Sequence, residues 1–240
     1  MFRSRKIVSI LVAGCLGTGS ITSGCITSAP GEYGVSAEVR DLDYKLCPDG
    51  LIDDGEDNNN QVNTIGGRDG YWYSGKDDYG STIEPLGDFK MAEGGAEGSK
   101  FAARMKGTMA AGGPNIYPYV SIGFNFSNPK SPYDAGKAQG IQFWAKGSGK
   151  VRFKTPDVMT DPTGEMCTNC YNDFGVDIFF GDDWQRYTVP FAKMEQQPGW
   201  GDRAPKVATD KLFAVAWQFG TASKDYDIWV DNIALVGCDQ

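Results

Sequence analysis

Three stretches decide the fold: GIQFWAKG (140–147), WQRYTVPF (184–191) and YDIWVDNIAL (226–235). In the last, Ile228 and Val230 fall on one side and Asp227, Trp229 and Asp231 on the other, the two-residue period of a strand between two environments. In WQRYTVPF, Tyr187, Val189 and Phe191 share one face, and Trp184, Arg186 and Thr188 share the opposite one. The alternation recurs in VSIGFNF (120–126), with Val120, Ile122, Phe124 and Phe126, in FGVDIFF (174–180), with Val176, Ile178 and Phe180, and in VRFKT (151–155), with Val151 and Phe153. Gly112-Gly113-Pro114, Asn128-Pro129 and Pro198-Gly199 separate these runs. Short alternating strands so punctuated predict an all-β jelly-roll β-sandwich of two antiparallel sheets. No long stretch carries apolar residues at helical spacing.

The ends predict an exported chain. Arg3, Arg5 and Lys6 precede an apolar run from Ile7 to Leu16 and a small-residue stretch ending at Gly24-Cys25, the layout of a secretory signal. Cys15 and Cys25 both follow small-residue boxes like those cleaved in bacterial lipoproteins; an ordinary signal without lipid is the third reading. Parity favours Cys25 as the lipid anchor, because Cys47, Cys167, Cys170 and Cys238 then remain as an even set for two disulfides in an oxidising compartment. The organisation expected is a signal peptide at 1–24, a lipid-anchored flexible tether at 25–46 and one β-sandwich domain at 47–240. Cleavage before Cys25 removes 24 of the 240 residues and leaves 216, enough for one well-buried sandwich. It also removes three basic residues and moves the net charge from −8 to −11. So acidic a surface argues against nucleic acid, and against an anionic lipid face, as partner. The expected setting is the bacterial cell envelope, with the membrane reached through the anchor only and the chain acting as a monomer.

Cys167-Thr168-Asn169-Cys170 has the spacing of a redox pair, of half a zinc site, or of a disulfide closing a tight loop. The export signal and the lack of a βαβ context favour the disulfide, with Cys47 bonded to Cys238 across the first and last strands. The chain has no histidine, which excludes Ser-His-Asp and Cys-His catalysis and leaves carboxylates, lysines and tyrosines. None of the 31 acidic residues stands in a recognisable catalytic context. The turn Leu51-Ile52-Asp53-Asp54-Gly55-Glu56-Asp57 is acidic enough to suit calcium, without the ligand spacing of an EF-hand.

The ordered series LIDDGED, WYSG, GIQFWAKG, VRF, WQRYTVPFAKM, FAVAWQF and WVDNIALVG, over about residues 50–237, resembles the family-11 carbohydrate-binding modules and their galactose-binding-like jelly-roll relatives. The resemblance implies non-catalytic binding of a polysaccharide of the β-glucan type across a concave, aromatic-lined face. It also implies a structural calcium ion. By position it assigns sugar contacts to Tyr73, Tyr119, Asp173, Trp200 and Phe219, and calcium to Asp54, Glu56 and Asp231. Aromatic faces suit sugars because pyranose C–H groups pack on them while the polar edges seek hydrogen bonds. Tyr119 also falls opposite Val120, Ile122 and Phe124 in its own strand pattern, which turns it away from the core. The chain departs from the family at Gln197 and Gly199, where an arginine and an aspartate are usual, and at Phe213-Ala214, where an acidic-polar pair is. Two alternatives stand beside the binding module: a lyase or hydrolase working with carboxylates, and a structural or adhesion lipoprotein without a ligand.

Overall fold

Among the described residues, eleven strands carry the alternation into two antiparallel sheets, as a jelly-roll sandwich requires. The computed structural model describes residues 39–40, 42–220 and 225–238, all within one unit of the chain. The first sheet holds β1 (Leu46–Asp53), β3 (Ala92–Glu93), β4 (Phe101–Thr108), β6 (Gly140–Gly147), β9 (Gln185–Pro190) and β11 (Asp225–Val236), in the order β3-β4-β11-β6-β9 with β1 also on β11. The second holds β2 (Trp72–Lys76), β5 (Val120–Asn125), β7 (Lys150–Thr155), β8 (Phe174–Phe179) and β10 (Ala214–Phe219), in the order β2-β5-β10-β7-β8. GIQFWAKG is β6 to the residue, and WQRYTVPF and YDIWVDNIAL differ from β9 and β11 only at their ends.

The core lies between the sheets. Val120, Ile122 and Phe124 of β5, Val215, Trp217 and Phe219 of β10, and Val151 and Phe153 of β7 face Met105, Ile141, Phe143, Val189, Ile228 and Val230 of the other sheet, all fully buried. Trp217 ties the layers together: its ring lies 5.2 Å from Phe143 across the gap, edge to face, and 5.4 Å from Phe153 and 6.0 Å from Trp72 on its own side. Such aromatic pairs add about 0.5–1.5 kcal/mol each beyond area burial.

β11 does the most joining. Its first half pairs β4 along Asp225–Val230, its last residues pair β1, and its other edge pairs β6. The register shifts between Asp231 and Ala234, where Asn232 takes a left-handed φ of 49°. Asparagine tolerates that conformation better than most residues. Asp231 stays in register with Trp144, in step with Trp229 and Lys146 on the outer face, and is only 1% exposed because the loop around Gly95 and Ala96 covers it.

Cys47 bonds Cys238, joining β1 to the residues after β11, and Cys167 bonds Cys170 within a loop. The tether needs correcting where it is described. Val39 is buried, Arg40 forms a bridge with Tyr187, the Leu42 carbonyl accepts from the Thr188 hydroxyl, and the Lys45 carbonyl accepts from the Gly237 amide. These residues belong to the sandwich, because Val39 removes its side chain from water there and the backbone around it gains partners. Cys15 and Cys25 lie outside the described residues.

Candidate functional site

The outer face of the five-stranded sheet is set by the strand register. One row across it reads Tyr73, Gly123, Ala216, Lys154, Gly175, and the next reads Gly75, Ser121, Gln218, Arg152, Asp177. Gly123 and Ala216 in the first row, and Gly75 and Ser121 in the second, are short and leave a trough. Loops raise its walls: Tyr117, Pro118 and Tyr119 before β5, Tyr171, Asn172 and Asp173 before β8, and Gln197 and Trp200 after β9. The main part of the cleft encloses about 790 Å³, and a second lobe of about 660 Å³ shares Tyr119, Arg152, Gln197, Trp200 and Gln218 with it.

Four of the five expected contact residues meet in this cleft. Tyr73 is half-buried in its floor, Tyr119 is 39% exposed and Trp200 is 47% exposed. Burial raises the Tyr73 phenol, and the carboxylates of Asp173 and Asp161 push it further, so it stays a neutral hydroxyl that can both donate and accept. Tyr119 is raised for the same first reason, with Asp77, Asp78 and Tyr171 adding to it. Asp173 is only 3% exposed; its Oδ2 pairs with Lys154 Nζ at 2.8 Å, and its Oδ1 has no hydrogen-bond partner.

Phe219 is the exception. It is fully buried and packs at 5.2 Å on Tyr226 inside the sandwich. On β10 it shares the parity of Val215 and Trp217, whereas Ala216 and Gln218 face the cleft, so the strand's own alternation overrules the position taken from the resemblance.

Charged residues of the cleft are mostly held in pairs. Lys130 pairs with Asp161, Lys154 with Asp173, and Asp177 takes Lys150 at 2.8 Å and Arg152 at 3.2 Å. Burial alone would raise Asp161, but Lys130 and Thr163 outweigh it and hold the carboxyl below the usual range. Asp77 stands behind Tyr119: its Oδ2 accepts the Tyr119 amide at 2.9 Å, and its own amide donates to the Tyr119 carbonyl at 3.0 Å. Arg152 and Lys154 could have been found in the sequence, since they alternate with the core residues Val151 and Phe153. Tyr171 and Tyr117, 64% and 70% exposed, had no such signal because both sit in loops.

The three expected calcium ligands do not assemble. Among the described residues no group of three acidic, cysteine or histidine side chains is placed to hold a metal. Glu56 and Asp231 do bracket one loop: Glu56 Oε1 accepts the amides of Lys100 and Phe101, and Asp231 Oδ2 accepts that of Ala96 at 2.7 Å. Asp54 instead accepts the amide of Glu56 within its own turn, at 3.2 Å. Asp231 is pushed up to about 6, mainly by burial, with Glu56 adding to it. Asp53, donated to by the indole of Trp72, is also pushed up to about 6 by burial.

No protein-family profile and no curated protein matches the sequence. Solved structures do match. The family-11 carbohydrate-binding module of the cellulosomal cellulase Lic26A-Cel5E of Clostridium thermocellum superimposes with a TM-score of 0.53 at 19% identity, over 82% of this chain and 95% of that one. A family-11 module of the same organism, in complex with a β-1,3-1,4-mixed-linked tetrasaccharide, gives 0.51 at 18% identity over 69% and 88%. The family-30 module of its cellulosomal cellulase Cel9D-Cel44B gives 0.50 at 11% identity over 70% and 92%. The fold is that of these modules. Their β-sandwich is the one the alternating strands predict, and its cleft here is built from this chain's own loops.

Proposed function

We propose that the protein binds a polysaccharide of the β-glucan type in this cleft without transforming it. The observation that carries the reading is a trough whose walls present the exposed rings of Tyr119 and Trp200, with Tyr73 in its floor and polar side chains between them. The pyranose faces would pack on the aromatic rings while the polar side chains of the trough, Ser121, Gln218 and Gln197, meet sugar hydroxyls. The solved modules of the same fold, one of them carrying a mixed-linked tetrasaccharide, support the reading. Catalysis has no support of this kind: the cleft carboxylates Asp161, Asp173 and Asp177 are each held by a cation, while Asp53 and Asp231, the carboxyls raised towards neutrality, lie outside its lining.

Affinity electrophoresis against soluble glucans, mannans and xylans tests it, with the wild type beside Tyr119→Ala and Trp200→Ala. Retardation by a β-glucan that both variants lose is expected. No retardation with any glycan would sink the proposal.

Export with a lipid on Cys25 belongs to the same proposal, supported by the basic and apolar start of the chain and by two disulfides that suit an oxidising compartment. Radiolabelled palmitate incorporated by the wild type and lost in Cys25→Ala is the expected result. Calcium is proposed in narrowed form, with Glu56 and Asp231 as its acidic ligands and Asp54 left out. Among the described residues neither has an ion-paired cation, and a divalent ion would stabilise the charge that burial disfavours at Asp231. A melting midpoint that falls on adding EDTA supports this, and an unchanged one removes calcium from the account.

A further inference from the structure

Two loops that form one wall of the cleft are stapled into a single piece. The first carries the Cys167–Cys170 disulfide and then Tyr171; the second carries Trp200. Asp202, two residues after Trp200, accepts the amides of Thr168 at 2.6 Å and Asn169 at 3.1 Å, both inside the disulfide loop, and its own amide donates to the Asn169 carbonyl. Asn172, two residues after Cys170 and buried, reaches the other way: its side-chain amide donates to the carbonyls of Trp200 at 2.6 Å and Gln197 at 2.8 Å, and its oxygen accepts the Gln197 amide. Gly201 lies so close that a β-carbon there would stand 2.5 Å from Asn172 Cβ.

Tyr171 sits where this piece meets the cleft. Its φ of 75° is left-handed, which a tyrosine adopts only under constraint, and the residue is 64% exposed. The constraint is visible: the disulfide ends at the preceding residue, and the Tyr171 amide donates to the Thr160 carbonyl at 2.7 Å. Strain held at an exposed aromatic in a cleft is the pattern of a binding residue whose position matters more than its local comfort.

We propose that Tyr171 is a further ligand-contacting residue and that the Cys167–Cys170 disulfide, with Asp202 and Asn172 as positioning residues, sets it and Trp200 at the spacing the glycan requires. The proposal rests on the cleft being a glycan site, and it deepens that reading. Opening the disulfide frees the turn whose amides Asp202 holds, so both aromatics lose their fixed relation while the two sheets keep theirs. Cys47–Cys238 lies elsewhere and serves the sheets alone.

The test compares wild type, Tyr171→Ala, Cys167→Ser with Cys170→Ser, and Asp202→Asn, which leaves the disulfide in place should the cysteine variant misfold. Three readouts are taken: the melting midpoint, the NMR indole N–H resonance of Trp200 identified through Trp200→Phe, and the dissociation constant for mixed-linkage β-1,3-1,4-glucan. The cysteine variant should shift the Trp200 resonance and bind about tenfold more weakly, with the midpoint nearly unchanged. Asp202→Asn should do the same to a smaller degree. Tyr171→Ala should weaken binding about fivefold and leave the Trp200 resonance in place. If the Trp200 resonance stays where it is in the cysteine and Asp202 variants, the clamp is overturned. Unchanged affinity in Tyr171→Ala overturns the contact. A wild type that binds no glycan at all defeats the reading of the cleft, while the resonance still decides the clamp.

Discussion

The two outer faces of the sandwich both carry aromatic and charged side chains, and the cleft with Tyr73, Tyr119 and Trp200 lies on one of them. On the six-stranded sheet, Arg104, Trp229, Lys146 and Trp184 stand in a row, with cations 4.4 to 5.1 Å from the indole rings. Those rings already have cations over them. The five-stranded sheet offers fewer large rings in its strands, but small residues open a trough, loops raise Tyr119, Tyr171 and Trp200 around it, and Asp173 keeps an unpartnered oxygen. Aromatic content therefore does not mark a site; unsatisfied groups and open ring faces do.

Ion pairs give the largest test of that contrast. Asp173→Ala leaves Lys154 partly buried without its partner and should destabilise by about 3 kcal/mol. Asp227→Ala breaks the exposed pair with Arg104 on the other face and should cost under about 1 kcal/mol. Urea denaturation of the two variants checks this, and equal losses would erase the distinction.

Acidity separates the regions next. Asp53 and Asp231, both on the six-stranded sheet, are raised from 3.8 to about 6, so the folded state holds their protons more firmly than the unfolded chain does. Each then contributes stability that grows as pH falls from about 7 towards 4, up to about 3 kcal/mol per group. In EDTA the midpoint should rise between pH 7 and pH 5, and Asp231→Asn should flatten the rise. A midpoint that falls over that range would show the buried carboxylates to be charged in the fold. Asp161 of the cleft, held below its usual range by Lys130, stays ionised throughout.

Tryptophan replacements give the smallest effects and the sharpest contrast. Trp200→Ala should weaken glycan binding by about 2 kcal/mol, near thirtyfold, with little change in stability. Trp229→Ala should leave binding alone and cost about 1 kcal/mol of stability through its lost cation contacts. Isothermal titration beside thermal melting reads both, and a binding loss in Trp229→Ala would move the site to the wrong face.

Much of this was legible in order along the chain. The alternation in β5 to β9 and β11 placed six strands within a residue or so of their ends, because burial on one face imposes the two-residue period directly. β4 escaped because its inward residues Ala103 and Met105 are small or flexible and Ala102 is buried as well, so the contrast between faces is weak. Tyr73, Tyr119, Asp173 and Trp200 came from resemblance and fell together; Phe219 failed because a transferred position ignored strand parity. Arg68 shows what no local pattern carries: a buried guanidinium satisfied by the carbonyls of Asp49, Leu51 and Asn63 and the hydroxyl of Tyr133.

The sequence by itself determined the sandwich, its inward faces and the even cysteine set, since each follows from local periodicity or composition. Only the tertiary structure decided which face is the cleft, that Asp173 is half-satisfied, that a loop buries Asp231 on the outer face of β11, and that Tyr171 joins Trp200 through Asp202 and Asn172. Those facts depend on partners brought together from 173 − 154 = 19 residues apart at Asp173 to 135 apart at Asp231, and a residue's immediate neighbours in the chain carry no record of them.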